Sequence, residues 1–132
     1  MGFVSERSFK LWNYNVSHKQ LLLRSPQSED CPDNIDVIFW GVEFIQIPSL
    51  LVGIELRQAS SADLQAATDS GHNDSLGVIV VRIDSGSDHF FVACAGYKVL
   101  RNCLDLFESS LYYFGSNESP SIESLGETLY HS

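Results

Sequence analysis

The chain has 132 residues, 44% of them hydrophobic, and a formal net charge of −9. This composition excludes a disordered chain, and we expect one domain spanning residues 1–132. Residues 1–24 carry four Lys or Arg and one acid, whereas residues 25–132 carry four bases and sixteen acids. The acidity disfavours nucleic-acid binding and favours a basic protein partner, because an acidic surface repels phosphate groups and attracts cations.

The first predicted element is a β-hairpin. Residues 9–16 alternate, with Phe9 and Leu11 on one face and Trp12, Tyr14 and Val16 on the other, and their aromatic and β-branched content is typical of a strand. Residues 17–20 read as a turn and residues 21–25 as the returning strand. The proline-containing and acidic residues 26–34 read as a surface loop.

Three strands follow. Residues 35–40 form a continuous apolar run, which indicates burial on both faces, and Gly41 ends it. Residues 42–47 alternate until Pro48, which has no N–H to donate to a ladder. Residues 51–57 are the next strand, in which Leu51 and Gly53 face away from Val52, Ile54 and Leu56.

A short helix and a second hairpin come next. Ser60 or Ser61 is a candidate cap for a helix that runs through Ala67, with Asp63 favourably placed in its first turn. Residues 69–75 read as a loop. Residues 76–83 and 89–95 are strong strands, and the intervening Asp84-Ser-Gly-Ser-Asp88 is a hairpin turn signal.

The remaining pattern is ambiguous. Residues 97–113 fit either a helix or, as far as about Asn102, a continued strand, and we favour the strand. Residues 115–132 are rich in Ser, Gly and acids and read as a loosely attached tail or a short helix with Leu129 inward. About seven strands joined mostly by short turns predict a mainly β fold, an antiparallel sandwich or partly closed barrel. The alternative is an α+β fold with a helix near 97–113.

Localisation follows from further patterns. The apolar runs are too short to span a bilayer, and residues 1–10 lack the basic and apolar regions of an export signal. The cysteines, Cys31, Cys94 and Cys103, are odd in number and widely spaced. We therefore expect a cytoplasmic protein with reduced thiols and no membrane association.

The sequence has no recognisable catalytic or metal-binding motif. Cys94 and His89 are a candidate nucleophile and base, but five positions along a strand place them on opposite faces. Apolar neighbours are also expected to raise the pKa of Cys94. The His and Cys residues have no metal-ligand spacing, and the loops at residues 69–74 and 84–88 lack the Gly and Glu of a calcium loop. We predict no catalytic residue, no metal, no cofactor and no enzymatic activity, although a carboxylate pair without a motif remains an alternative.

One constellation combines aromatic, polar and charged side chains near the N-terminal hairpin: Trp12, Tyr14, Ser17, His18, Arg24, Asn34 and Asp36. It predicts a binding patch for an anionic ligand. The alternative is structural: Arg24 pairs with Asp36, while Trp12 and Tyr14 cover the core.

The segment Trp12-x-Tyr14-x-x-Ser17-His18-x-x-Leu-Leu-Leu-Arg24-Ser25, followed by Asn34-Ile-Asp-Val37, resembles small uncharacterised bacterial proteins. The resemblance covers the first third of the chain. It implies a bacterial source and carries no activity.

We therefore expect a small acidic binding protein that acts by protein–protein contact, as an immunity protein or antitoxin does with a cationic toxin. The first alternative is a small-ligand-binding β domain, with the ligand near Trp12 and Trp40. The second is an enzyme with the carboxylate site mentioned above.

Overall fold

The computed structural model describes residues 2–29, 32–69, 78–103 and 127–131. Within these ranges the chain forms nine strands and one helix. In chain order they are β1 (Phe3–Asn15), β2 (Gln20–Ser25), β3 (Asn34–Trp40), β4 (Phe44–Gln46), β5 (Leu50–Gln58), α1 (Ser61–Asp69), β6 (Ile79–Ser85), β7 (Asp88–Cys94), β8 (Gly96–Asn102) and β9 (Glu127–His131).

The strands form a single antiparallel sheet in the order β4-β7-β6-β5-β1-β2-β3-β8-β9. The prediction of a mainly β, antiparallel fold is confirmed, and the sheet is not closed into a barrel. Both predicted hairpins are present, β1 with β2 and β6 with β7. Strand β1 begins at Phe3, six residues before the predicted start, and pairs there with β5.

Two bent backbone segments, β3–β4 and β7–β8, connect strands that lie at opposite ends of the sheet order. Strands β7 and β8 are separated by Ala95 alone, and β3 is followed closely by β4. The β3 segment pairs with β8, whereas β4 pairs with β7, and the backbone N–H of Ala95 donates to the carbonyl of Trp40 at 2.9 Å. Gly41 occupies the corner with φ of 60°. Both segments therefore bend at the same place.

The inner face of the sheet encloses the main core. One cluster of buried apolar side chains contains residues from β1, β2, β3, β5, β6, β7 and β8. Strands far apart in the sheet order, such as β3 and β6, share this cluster, so the sheet bends around a common interior. Phe39 and Tyr97 illustrate the packing, with ring centroids 5.7 Å apart.

Helix α1 covers part of the outer face. Ser60 caps it: the N–H of Asp63 donates to Ser60 Oγ at 3.2 Å, and the N–H of Ser60 donates to Asp63 Oδ2 at 3.0 Å. This reciprocal pair has the arrangement of a capping box, and of the two predicted cap candidates, Ser60 and Ser61, it is Ser60 that caps the helix. Ala67 packs with Val80, Phe91 and Ala93 in a second apolar cluster on the outer side of β6 and β7.

Strand β5 departs from the predicted alternation. Leu51, Ile54 and Leu56 all enter the core, whereas Val52 faces solvent. Gly53 has a φ of 72°, and the β1–β5 register shifts between Ser5 and Ser8. Glu6 and Arg7 on β1 thus lie opposite Gly53 alone on β5. The alternation of β5 changes at Gly53, so the prediction that Val52 shares a face with Ile54 was wrong.

The structure assigns part of the two regions whose sequence pattern was ambiguous, residues 97–113 and 115–132. Residues 97–102 belong to β8, so the helix alternative is wrong for them, and residues 104–113 lie outside the described residues. Continuous pairing of β8 with β3 favours the strand. Within the predicted tail, residues 115–126 also lie outside the described residues, while Glu127–His131 pair with β8 as β9. Leu129 is therefore in a strand, not in the suggested helix.

Candidate functional site

Arg24 and Asp36 form a salt bridge that is completely shielded from solvent. They lie directly opposite each other on β2 and β3. Arg24 Nε donates to Asp36 Oδ1 at 2.6 Å and a terminal guanidinium nitrogen donates to Asp36 Oδ2 at 2.9 Å. Both side chains have 0% exposure. The bidentate geometry satisfies two charges that would be costly to bury alone.

Two asparagines extend this pair across the sheet. The side-chain amide of Asn102 donates to Asp36 Oδ2 at 2.8 Å, and that of Asn34 donates to Asn102 Oδ1 at 3.0 Å. Asn34 Oδ1 accepts the backbone N–H of Gln27 at 2.8 Å. The network thus ties β2, β3 and β8 to the loop after β2. Asn102 was absent from the predicted constellation.

Trp12 lies over this network. Its ring centroid is 5.3 Å from Arg24 Cζ, a cation–π distance. The β1–β2 register shifts between Leu11 and Asn13, so Trp12 occupies a bulge that turns its side chain towards Leu22, Ile38 and Leu100. The structural alternative for Arg24, that it pairs with Asp36, is confirmed.

The other predicted site residues lie elsewhere. Tyr14, Ser17 and His18 are exposed at the end of the β1–β2 hairpin. Ser17 Oγ and the backbone N–H of His18 both donate to Asn15 Oδ1, at 2.8 and 3.3 Å. Asn15 therefore organises the turn, and the Ser17 hydroxyl is directed to it and not to His18. The predicted constellation therefore divides into two groups. Trp12, Arg24, Asn34 and Asp36 form the buried network, whereas Tyr14, Ser17 and His18 are exposed at the hairpin.

Cys94 and His89 lie on opposite faces of β7. Cys94 belongs to the inner core cluster, whereas His89 is exposed and has an edge contact with Phe91, part of the outer cluster. Burial raises the pKa of the Cys94 thiol to about 12. This thiol is protonated at neutral pH and therefore a poor nucleophile.

Most cationic side chains are engaged in ion pairs within the chain, several of them at its surface. Six of the eight Lys and Arg residues form ion pairs with carboxylates. The pairs are Arg7–Asp33, Lys19–Glu43, Arg24–Asp36, Arg57–Asp84, Arg82–Asp63, Arg82–Asp84 and Arg101–Asp33. Lys10 and Lys98 have no such pair with a carboxylate in the described part of the chain. Exposed carboxylates without an ion pair among the described residues are Glu6, Glu29, Glu55, Asp69 and Asp88.

Arg82 on β6 binds one carboxylate of α1 and one of its own strand. It contacts Asp63 at 2.6 Å and Asp84 at 2.8 Å, and these hydrogen bonds raise the pKa of Arg82. Desolvation acts to raise the pKa of Asp63, but hydrogen bonds from Ser60 and the contact with Arg82 outweigh it and hold that pKa below its usual value. The ion pair between Asp63 of α1 and Arg82 of β6 therefore fastens the helix to the sheet. Among the described residues, no group of His, Cys, Asp and Glu could hold a metal ion.

The outer face of the sheet has a strip, between two buried regions, that none of the described elements covers. The α1 cluster lies on one side, and the buried Arg24, Leu22 and Ile38 lie on the other. We call this uncovered surface the β1–β5 strip. It consists of Val4, Glu6, Ser8 and Lys10 on β1 and Leu50, Val52 and Glu55 on β5.

A groove of about 400 Å³ borders the strip on the β2 side. It is lined by Glu6, Arg7, Ser8, Lys10, Ser25, Pro26 and Ser28. One lining residue, Arg7, donates to Ser25 Oγ at 2.9 Å and to the Asp33 carbonyl at 2.7 Å. Because these bonds engage the guanidinium, Arg7 serves to hold the loop after β2 against β1.

Comparison with protein-family models, curated proteins and solved structures finds no match to this chain. No helix within the described ranges has the length and apolar character needed to cross a membrane. Function is therefore inferred from the charge and geometry of the chain itself.

Proposed function

We propose that this protein is a small acidic binding domain that acts through contact with a basic protein partner, as an immunity protein or antitoxin does. The observation that supports this proposal is that most cations form ion pairs within the chain, whereas several exposed carboxylates do not. The fold engages six of eight cations in ion pairs, whereas five exposed carboxylates have none among the described residues: Glu6, Glu29, Glu55, Asp69 and Asp88. An approaching molecule therefore meets more unpaired carboxylates than unpaired cations.

Such a surface speeds association with a cationic partner and disfavours anionic ones. Complementary potentials steer diffusional encounter and suppress wrong partners, and their effect falls as salt screens them. The same field acts against binding to nucleic-acid backbones. The proposal includes a cytoplasmic location, with which the free thiols of Cys94 and Cys103 agree.

The described side chains agree better with binding than with catalysis. The protonated Cys94 thiol is sequestered in the core. Hydrogen bonds from Ser60 and the contact with Arg82 hold the pKa of Asp63 below its usual value, which disfavours the proton uptake that a general acid needs.

The first test is a pull-down of the tagged protein from its native lysate at about 50 mM and about 500 mM salt. Bound proteins are identified by mass spectrometry. We expect a stoichiometric partner with an excess of Lys and Arg, lost at the higher salt. A bait that retains no partner, or one whose partner is retained equally at both salt concentrations, would contradict the proposal.

Charge-reversed variants sharpen this test. The double variant E29K/D88K raises the net charge from −9 to −5 at two exposed carboxylates outside the β1–β5 strip, and it should reduce partner capture. Q58S/S87A replaces two exposed neutral residues and is the control. Equal capture by both variants would argue against charge-steered binding.

A further inference from the structure

The β1–β5 strip presents apolar side chains in the middle of the sheet. Val4, Leu50 and Val52 are 64%, 50% and 66% exposed. Val52 lies directly opposite Ser8, and Leu50 lies opposite Lys10. Along the strip β1 and β5 pair with each other, and each has a second neighbour, β2 or β6, over the rest of its length. The exposed side chains therefore form part of a sheet face, on which another molecule could pack.

Charge in the strip is arranged on two sides of a central row. The centre is the Ser8–Val52 pair; Glu6 precedes Ser8 on β1 and Lys10 follows it, while Glu55 lies opposite Val4 on the Glu6 side. Glu6, Glu55 and Lys10 form no ion pair within the described chain. The strip thus combines negative and positive groups, unlike the strongly acidic chain as a whole.

We propose that the β1–β5 strip is a self-complementary surface through which two copies of this chain associate. Consider a two-fold axis that lies in the plane of the interface and runs along the Ser8–Val52 row, perpendicular to the strands. This axis places Glu6 of each copy against Lys10 of the other. Val52 then lies near Val52 of the second copy. Isologous contacts of this kind are the commonest way in which identical chains pair. A purely cationic partner would leave Lys10 facing like charge.

The size of the strip sets the strength of the contact. Residues 4–10 of an extended strand span about 24 Å, and two paired strands are about 10 Å wide. This footprint is well below the roughly 800 Å² per partner of a standard interface. The dimer is therefore weak and exchanges rapidly, with a dissociation constant of about 100 µM to 1 mM.

Sedimentation velocity of the full chain tests this proposal, between about 20 µM and about 2 mM at about 0.15 M salt, where the repulsion between two acidic molecules is screened. We expect the average sedimentation coefficient to rise with concentration. K10E and E6K should each weaken association about five- to tenfold. The exchanged variant E6K/K10E keeps the wild-type net charge and should restore the wild-type dissociation constant to within about twofold.

K19E is the matched control, because it makes the same charge change as K10E at an exposed position away from the strip. It should leave association nearly unchanged, and far-UV circular dichroism should show all variants folded. A monomeric wild type throughout the range, equal effects of K10E and K19E, or failure of the exchange to restore association would each overturn the proposal. The sedimentation results are independent of the proposed basic partner, because the capture of that partner is tested with E29K/D88K, whose positions lie outside the strip.

Discussion

Arg24 Nε donates to Asp36 Oδ1 at 2.6 Å while both side chains are fully removed from solvent. Trp12 covers the guanidinium on one side, and Asn102 donates to the second carboxylate oxygen. A charged pair of this kind is stable because both members are present, since either one alone would be a buried charge without a counterion.

Removing either charge should therefore destabilise the fold strongly. D36A and R24A are each expected to lower the free energy of unfolding by about 3–5 kcal/mol, whereas the double variant R24M/D36L should lose much less than the sum of the single changes. Urea denaturation followed by tryptophan fluorescence measures these differences. Additive losses would show that the pair does not act as a unit.

The Arg24–Asp36 pair could be anticipated from sequence, but its surroundings could not. Adjacent strands of a short meander place Arg24 near Asp36, and this requires only local pairing. Asn102 is 66 residues from Asp36, and no local pattern predicts that β8 lies beside β3. The bulge at Trp12 was also missed, because a one-residue insertion breaks the alternation on which strand faces are assigned.

Features that depend on neighbouring residues were predicted correctly, whereas features that depend on an open face or an irregular backbone were not. The Asp84-Ser-Gly-Ser-Asp88 turn and the Ser60 cap depend on nearby residues and were correctly predicted. The first half of β1 was missed because Glu6, Arg7 and Ser8 do not resemble a strand, yet one face of that strand is open to solvent. The exposure of Val52 depends on the irregularity at Gly53, which the simple period of two does not contain.

Gly41 should be far less tolerant of substitution than Gly86. Both have positive φ, 60° and 62°. An added Cβ at Gly41 would lie 2.7 Å from the Cβ of Ala95, whereas one at Gly86 would have no neighbour within 4 Å. We expect G86A to cost about 1 kcal/mol and G41A at least about 2 kcal/mol. Thermal unfolding compares the two variants, and equal costs would contradict the close packing of the corner.

The two described cysteines should differ in reactivity. Cys94 is buried with a pKa raised to about 12, whereas Cys103 is exposed. Iodoacetamide at pH 8 should label Cys103 rapidly and Cys94 only after denaturation, since the thiolate is the reactive form. Peptide mapping by mass spectrometry gives the extent at each site. Rapid labelling of Cys94 in the native protein would contradict its placement in the core.

Asp63 should contribute stability that disappears in acid. Its pKa is held below the ordinary 3.8, so the contribution is complete above that value and is lost as the pH falls through the lower folded-state pKa. At pH 6 we expect D63N to unfold about 1–2 kcal/mol more easily than the wild type, and the gap should narrow below about pH 3. D88N, at an exposed turn, is the control. A gap in thermal stability that stays constant from pH 6 to pH 2.5 would contradict this assignment.

The pairing of β3 with β8 has a consequence for how the chain assembles. Strands β1, β2 and β3 are consecutive and can form a local meander early, but Asp36 acquires its contact with Asn102 only after the intervening residues have been made. Until then the outer side of the meander contains a charged pair beside uncovered leucine and isoleucine side chains. Folding should therefore be slow, on a timescale of about milliseconds to seconds, as expected when distant segments must meet. A chain truncated before Gly96 should be prone to aggregation, because it exposes the edge of β3.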